Sequence, residues 1–298
     1  MAVTDVDGSM KAFLTAPECE RDAVLAHLVD VETRSHGNGT VFDVGRSPSC
    51  PGFSIAVGCT GMGNLRPGTL TERALAMYSP SSTVFVGIAG GLKDHLELGD
   101  VVAASKTYAV HGGRGQDDGF RARPQSWEVP HVVEQVARRI KPAHWHGLLS
   151  DEGRAPAPRA YLAPIASGEV VLDSRTSPPA RQIDRHYDDA TAVEMASAGF
   201  ASAAHANRGA LIATVRGISD HADGDKERAD RQGSREIAAA NAAAYALALT
   251  AALHVSEGHA TESTRPRPEL PGIRNTNVAK GRARMGQQIG VVLDGRGR

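Results

Sequence analysis

Apolar runs of strand length alternate with segments of helical spacing along most of the chain. Runs of apolar and β-branched residues predict strands, and amphipathic or alanine-rich segments predict helices. The predicted strands cover 11–14, 40–44, 53–57, 82–86, 101–104, 161–172 (a strand pair) and 211–215. The predicted helices cover 20–29, 69–77, 132–140, 192–206 (entered from a strand end) and 235–255. This alternation indicates one large α/β domain.

The predicted strand Leu211–Val215 is followed closely by polar residues, namely Arg216, Ser219, Asp220 and Asp223. Ligands of open α/β sheets bind at the carboxyl ends of the strands, so these residues indicate a reaction centre. The alternative is that Ser219 or Asp220 only caps the next helix, because Ser and Asp are common cap residues.

Two earlier segments carry candidate groups, each with a structural alternative. Glu20 falls in the first turn of a predicted helix, where it either stabilises the positive end of the helix dipole or takes part in catalysis. The segment 60–64 (TGMGN) places Gly61 and Gly63 directly after a strand. Its amide groups either approach an anion or polar ligand, or form only a tight turn.

Other motifs argue against cofactors and metals. The Gly87–Leu92 segment lacks G-x-G-x-x-G spacing, so we expect no nicotinamide cofactor. His144 and His146 alternate on an expected strand, but no third ligand accompanies them, so we expect no metal. The loop from Tyr108 to Arg123 is rich in Gly, Asp and Arg, and we expect it to be mobile and to lie over a site.

Composition narrows the class of ligand and compartment. The 298 residues are 41% hydrophobic, which suffices for a sizeable core, and the net charge of −1 does not indicate a nucleic-acid binder. We therefore expect a small-molecule ligand. Three widely spaced cysteines without a C-x-x-C pair favour a reducing cytoplasm. The N-terminus is acidic and Asn241 and Tyr245 interrupt the alanine-rich segment, so we expect neither export nor a membrane span.

Five ordered segments together resemble the nucleoside phosphorylase superfamily. They are TGMGN (60–64), VGIAGGLKD (86–94) with LGDVV (98–102), SGEVVL (167–172), AVEM (192–195) and VRGISDHAD (215–223). The resemblance runs from about Lys11 to Val255 and is greatest to the hydrolytic branch, the methylthioadenosine/S-adenosylhomocysteine nucleosidases. It implies a single three-layer α/β domain, taken as 11–257, with a mixed, partly barrel-like central sheet flanked by helices. It also implies a homo-oligomer.

The resemblance assigns expected roles to residues of this chain. Asp220 matches the general acid that protonates N7 of the purine, and Ser219 matches the residue that orients it. Arg216 and Glu20 match the groups that position and deprotonate the attacking water. The expected substrate-binding residues are Gly63, Gly90, Gly91, Val171, Leu172, Glu194 and Met195. These roles imply a hydrolase that releases the base from a purine nucleoside or nucleotide without a cofactor.

Two departures from the family pattern keep alternatives open. Ala196 stands after Met195, where the family has a glutamate that grips the ribose, although Glu194 is retained. This departure favours a catalytically decayed purine-sensing or assembly module as one alternative. Phosphorolytic members carry phosphate ligands where this chain has Phe85 and Ile88, so a phosphorylase is the less favoured alternative.

The last forty or so residues have a different composition. Residues 258–298 contain eight Lys or Arg against three Asp or Glu, and prolines punctuate a polar run. This composition predicts a flexible basic tail. Within it, residues 273–295 combine Asn and Gln with short apolar pieces. That segment resembles the amyloid-type signalling motifs of bacterial immune systems, which implies a partner protein and an effector role in signalling or defence.

Overall fold

The computed structural model describes residues 9–117, 119–149, 157–207 and 211–262. Its strands are β1 (Ser9–Thr15), β2 (Val29–Ser35), β3 (Val41–Arg46), β4 (Phe53–Cys59), β5 (Ser82–Gly91), β6 (Val101–Ala109), β7 (Gly113–Gln116), β8 (Gly119–Ala122), β9 (Gln125–Glu128), β10 (Ala160–Ser167), β11 (Ala192–Glu194) and β12 (Leu211–Asp220). Its helices are α1 (Glu18–Leu25), α2 (Leu65–Tyr78), α3 (His131–Ala137), α4 (Pro142–Trp145), α5 (Pro178–His186), α6 (Ser197–Ala206), α7 (Lys226–Arg231) and α8 (Ser234–Glu262).

The central sheet is mixed and closes on itself in part. Its order is β11-β10-β6-β12-β5-β1-β4-β3-β2, and β9 pairs with β6. Because β11 also pairs antiparallel with β5, the strands β5, β12, β6, β10 and β11 form a closed barrel. The strands β1, β4, β3 and β2 extend from β5 as an open sheet. The predicted α/β architecture with a partly barrel-like sheet is confirmed.

Helix α8 packs directly on the barrel because alanines form much of its contact face. Ala242, Ala243 and Ala246 are fully buried. A Cβ atom added to Gly217 of β12 would lie 1.9 Å from the carbonyl oxygen of Ala238. The segment Ser234–Glu257 is long and apolar enough to cross a membrane. However, 72% of its most apolar stretch of 18 residues is buried inside the structure. That burial is typical of a core helix.

The segment Val29–Ser35 is strand β2, so the predicted extension of the first helix over 20–29 was wrong at its end. Helix α1 ends at Leu25, and β2 pairs antiparallel with β3 at the edge of the sheet. Every residue of β2 is exposed. Leu28 is buried in the core but lies in the turn after α1, so its apolar character does not reflect a longer helix. The β-branched Val29 and Val31 suit a strand.

Residues 168–172 form a loop, so the second strand of the predicted pair 161–172 is absent. Strand β10 ends at Ser167, and the Gly168 N–H donates to the carbonyl oxygen of Glu194 at 2.9 Å. The chain therefore leaves the ladder with β6 at this point.

The loop expected from Tyr108 to Arg123 contains paired strands. Strand β6 continues to Ala109, and β7 pairs with β8 in a separate two-stranded sheet. None of its described residues lines the candidate cavity described in the next subsection. Instead, His111 of this segment contacts the loop after β10, where its Nδ1 accepts from the N–H of Glu169 at 2.9 Å. The mobility of the segment and a position over the site stay predictions.

His144 and His146 do not alternate on a strand. His144 lies in helix α4 and its Nδ1 accepts from the backbone N–H of Lys141, whereas His146 begins a short 3-10 turn and contacts the carbonyl oxygen of Pro158. Trp145 between them is buried against the core. Apolar packing of this tryptophan accounts for the local helix.

The predicted tail 258–298 and its 273–295 segment lie outside the described residues, apart from the backbone of α8, which continues to Glu262. The domain boundary at 257 and the partner-binding role of the tail stay predictions.

We predict that Gly217→Ala destabilises the fold, because the new methyl group meets backbone atoms of α8 rather than a side chain that can move. Overpacking of this kind costs about 1–3 kcal/mol or more. Gly147→Ala is the control, since a Cβ there meets nothing within 4 Å. Urea unfolding should show a lower midpoint for Gly217→Ala only, and equal midpoints would contradict the prediction.

Candidate active site

The carboxyl ends of three parallel strands meet at one cavity of ≈290 Å³. Strand β1 leads into Glu20 of α1, while β5 supplies Ile88–Gly90 and β12 supplies Arg216, Ser219 and Asp220. The other lining residues are Ala16, Pro17, Met62, Val170, Val171, Leu172, Val193, Glu194, Met195, Ala196, Lys226 and Arg235. The cavity thus combines apolar side chains with three carboxylates and three cations.

Glu20 is buried and fixed by two backbone donors. Its Oε2 accepts from the N–H of Ala16 at 2.8 Å, and its Oε1 accepts from the N–H of Ile88 at 2.8 Å. Burial raises the pKa of Glu20 from its ordinary value of 4.5 to about 7. The charge of Arg216 and the two backbone donors lower this pKa, whereas Glu194 raises it. Glu20 therefore exchanges its proton near neutral pH.

Arg216 is a fully buried cation that is held by β11 and α6. Its Nη2 donates to Glu194 Oε2 and to Ser197 Oγ, both at 2.8 Å. Its guanidinium lies 4.4 Å from the centroid of the Phe85 ring. A Cβ on Gly87 would lie 2.1 Å from Arg216 Nη1. This position must therefore be glycine for the guanidinium to lie there.

Asp220 lies at the end of β12 and both of its carboxylate oxygens have donors. Oδ2 accepts from Ser219 Oγ at 3.0 Å and from Lys226 Nζ at 2.6 Å, while Oδ1 accepts from the N–H of Ala222 at 3.0 Å. A Cβ on Gly90 would lie 2.8 Å from Oδ1. Three donors thus orient the carboxylate, which packs against β5 where Gly90 has no side chain.

A bulge lets two consecutive residues of β12 face the cavity. Ile218 pairs with Ala89 and Asp220 pairs with Gly90, so Ser219 is the additional residue. Neighbouring strand residues normally point to opposite faces, and a bulge changes that direction. The position of the next helix excludes the alternative that Ser219 or Asp220 only caps it. Helix α7 begins six residues later with Asp225 at its N-cap, so neither residue caps it.

The TGMGN segment forms a tight turn. Gly61 and Gly63 have φ angles of 81° and 96°, which favour glycine. Asn64 at the end of the turn joins three parts of the chain: its Nδ2 donates to the Gly168 carbonyl oxygen at 2.7 Å, and its Oδ1 accepts from the N–H of Gly199 at 3.1 Å. The segment therefore fixes the loop after β10 against the start of α6.

The structure places most of the candidate residues together, but not all. Lining the cavity are Asp220, Glu20, Arg216, Ser219, Gly90, Val171, Leu172, Glu194 and Met195. Gly63 and Gly91 do not line it. Gly91 lies one residue beyond the Asp220 pairing and pairs with Ala192 of β11. Gly91 therefore takes part in the pairing that closes the barrel and does not contact the cavity.

Two charged cavity residues were missed in the sequence. Lys226 and Arg235 follow β12 in a polar stretch without periodicity, and nothing in their spacing indicates a site. Lys226 reaches Asp220 only because helix α7 folds back over the end of β12. Within the described ranges, no group of three or more His, Cys, Asp or Glu residues is placed to hold a metal ion.

Comparisons with known proteins agree with this architecture. The sequence profile of the phosphorylase superfamily matches residues 12–251. The chain is 26% identical over 206 residues to a 5'-methylthioadenosine/S-adenosylhomocysteine nucleosidase of a Shewanella species, covering 67% of this chain and 83% of the relative. It is 26% identical over 222 residues to the protein of the same name in Actinobacillus succinogenes, covering 72% and 88%.

Solved structures show the same fold. The corresponding nucleosidase of Neisseria meningitidis, in complex with methylthio-immucillin-A, has a TM-score of 0.66 at 21% identity, covering 82% of this chain and 99% of that chain. The futalosine hydrolase of Helicobacter pylori has a TM-score of 0.65 at 21% identity, covering 81% and 97%.

Because the family profile spans nearly the whole described domain and the ordered motifs lie around one cavity, the chain belongs to the phosphorylase superfamily.

Proposed function

We propose that this protein is an N-glycosyl hydrolase that releases the purine base from a nucleoside or nucleotide by attack of water. The observation that carries the proposal is the pairing, across one cavity, of an oriented acid at the end of β12 with a buried carboxylate of near-neutral pKa on α1. In the reaction the bond from C1′ to the purine nitrogen breaks, the base takes a proton, and water supplies hydroxide to C1′.

Asp220 is the group proposed to pass a proton to the purine. Its Oδ2 accepts from Lys226 Nζ at 2.6 Å, so the carboxylate takes up a proton along this contact and then gives it to the base. A purine anion is a poor leaving group, so protonation of the base lowers the barrier to bond cleavage. Ser219 Oγ and the backbone N–H of Ala222 fix the carboxyl group, and the apolar Val171 and Leu172 of the same cavity suit a flat base. Asp220 and these apolar side chains therefore line the same cavity.

Glu20 and Arg216 are proposed to act on the water. A general base works best when its pKa is near the working pH, and Glu20 meets this condition. Arg216 Nε is buried and has no hydrogen-bond partner within the described part of the chain. Arg216 and Glu20 line the same cavity, and the guanidinium charge is proposed to orient the water molecule beside Glu20.

The same cluster disfavours phosphate as the nucleophile. Arg216 already donates to Glu194 and Ser197, and the carboxylates of Glu20 and Glu194 lie beside it. Two carboxylates repel an anion, and the position of Ile88 offers only an apolar side chain. Hydrolysis is thus favoured over phosphorolysis.

The proposed substrates are adenine nucleosides of the kind named for the relatives, 5'-methylthioadenosine and S-adenosylhomocysteine, or a purine nucleotide. Ala196 lines the cavity without a polar group for the ribose hydroxyls. If the protein were a decayed purine sensor, it would bind these compounds without releasing the base.

We predict that the purified protein releases free purine in phosphate-free buffer and that Asp220→Asn lowers kcat by about a hundredfold to ten-thousandfold, the usual contribution of general acid catalysis. Asn keeps the size of the side chain but has no proton to transfer. Chromatographic detection of free base across a panel of purine nucleosides and nucleotides measures both effects.

Asp223→Asn is the matched control, because Asp223 is exposed and does not line the cavity. It should retain kcat within about threefold of the parent. Formation of a sugar 1-phosphate that rises with phosphate concentration would contradict hydrolysis, and an unchanged kcat in Asp220→Asn would contradict the role of Asp220.

We predict that Glu20→Gln gains stability relative to the parent as pH rises. The folded-state pKa of about 7 exceeds 4.5, so the stability linked to this proton is fully present below pH 4.5 and is lost as pH rises through 7. Gln does not ionise, so the difference in unfolding free energy should move by about 3 kcal/mol in favour of the variant between pH 4 and pH 8.

Urea unfolding at several pH values measures this shift. Glu18→Gln, at an exposed position in the same helical turn, is the control and should follow the parent at every pH. A pH-independent difference between Glu20→Gln and the parent would rule out an ionising buried carboxylate. The same substitution should abolish base release if Glu20 is the general base.

We further propose that the protein is a homo-oligomer in which a second copy covers the cavity mouth. Met62, Val170 and Val171 line the cavity, yet they are 66%, 49% and 50% exposed. Apolar groups gathered at the rim of a site are typical of an interface. Light scattering should give a mass above one chain, and Val170→Glu should lower it; a monomeric parent would contradict the proposal.

The proposed compartment is the cytoplasm. Cys19, Cys50 and Cys59 are all free thiols in the structure. Thiols persist where the compartment is reducing.

A further inference from the structure

A second, larger cavity includes Arg21 of helix α1, the residue next to Glu20 of the candidate active site. Its volume is ≈490 Å³, and it shares no lining residue with the first cavity. It is formed by α2, the strands β3 and β4, and the residue that follows Glu20 in α1. This volume falls within the range of small-molecule sites, about 300–1,000 Å³.

One face of helix α2 presents two arginines and a threonine to this cavity. Arg66, Thr69 and Arg73 have the spacing i, i+3 and i+7, which places them on the same side of a helix. Arg66 lies in the first turn of a helix of 14 residues, and the N-cap residue Asn64 makes no side-chain cap hydrogen bond. Glu169 Oε1 accepts from the N–H of Asn64 at 3.3 Å and from its Nδ2 at 2.9 Å, so a carboxylate already offsets part of the positive end of the helix dipole. The positive charge of the cavity therefore comes mainly from the arginine side chains.

The charges of the cavity are not balanced. Its lining contains Arg21, Arg66 and Arg73 against the single carboxylate of Asp43. Arg21 is paired with Asp22 at 2.8 Å. In the described ranges, neither Arg66 nor Arg73 has a carboxylate oxygen within 4.0 Å, and Arg73 Nη1 instead donates to Thr40 Oγ1. Two guanidinium groups thus face a cavity without an anionic partner.

We propose that this cavity, the Arg66–Arg73 cavity, binds a small molecule with two or more linked phosphate groups, such as a nucleoside diphosphate. Guanidinium groups bind phosphate oxygens in pairs, and hydroxyl groups and a helix N-terminus complete such sites. The two arginines are seven residues apart, which corresponds to about 10 Å along the helix axis. A single phosphate spans this distance poorly, whereas a chain of two or three reaches both side chains.

The hydroxyl groups of the cavity fit the same ligand. Thr40 and Thr69 line it, and a hydroxyl donates to a phosphate oxygen without adding charge. The hydroxyl of Thr60, which also lines the cavity, already donates to the carbonyl oxygen of Gly61 at 2.6 Å. Asp43 Oδ1 accepts from Thr33 Oγ1 of the neighbouring strand β2 at 3.1 Å, and the two arginines of α2 outnumber this one carboxylate. The anion is thus drawn towards α2.

Titration calorimetry with inorganic triphosphate at low ionic strength tests the proposal. The parent should bind one equivalent, and Arg66→Gln/Arg73→Gln should weaken binding by about tenfold to a hundredfold, the worth of one or two charge-assisted contacts. Arg181→Gln/Arg185→Gln is the matched control, because it removes the same charge from exposed positions of α5. It should bind triphosphate within about twofold of the parent.

Three further measurements keep the result interpretable. Melting temperatures establish that both double variants are folded, and Arg73→Lys, which keeps the charge but loses the planar fork, should weaken binding less than Arg73→Gln. Orthophosphate should bind more weakly than triphosphate. The proposal fails if the parent does not bind triphosphate, if Arg66→Gln/Arg73→Gln binds as well as the parent, or if the α5 control loses affinity equally. Because the readout is binding and not base release, these outcomes are independent of the proposed hydrolase activity.

Discussion

The ion pair between Arg216 and Glu194 is the interaction on which the site depends. A buried cation is costly unless a carboxylate and further hydrogen bonds compensate it. Here Glu194 Oε2 and Ser197 Oγ each accept from Nη2 at 2.8 Å, and the Phe85 ring lies against the guanidinium. The single positive charge cannot also compensate Glu20 fully, which is why burial dominates and the pKa of Glu20 rises to about 7.

Barrel closure is what brings this pair together. Strand β11 is only three residues long, yet it pairs with β10 on one side and with β5 on the other. Because β5 also pairs with β12, Glu194 at the end of β11 and Arg216 in β12 face each other across β5. The side chains of Arg216 and Asp220 pack against β5 at Gly87 and Gly90, where any other residue would have a Cβ atom in their place. The geometry of the Arg216–Glu194 pair and of Asp220 is therefore set by the pairing of the sheet strands.

The α/β class and the polar end of β12 could be predicted because their signals are local, whereas the partly barrel-like sheet was implied only by the family resemblance. The apolar run before Arg216 predicts a buried strand, and the strand continues through Asp220 with its polar residues at the ligand-binding end. Lys226 and Arg235 could not be predicted, because their place in the cavity depends on how α7 and α8 return to the end of β12. The error at β2 has a similar origin: pairing with β3 at the sheet edge prevailed over a weak helical spacing at Val29.

Glu194 explains why the alanine at 196 matters for recognition of the sugar. Its Oε2 accepts from Arg216 and from the backbone N–H groups of Ala196 and Ser197, and its Oε1 also accepts from Ser197 N–H at 3.0 Å. These donors lie at the N-terminus of α6, where a carboxylate is stabilised by the helix dipole. A carboxylate so fully engaged is a poor acceptor for ribose hydroxyls, and the methyl group of Ala196 offers none. We therefore propose that, among the described residues of this wall, selection of the sugar depends on shape and apolar contact more than on bidentate hydrogen bonding.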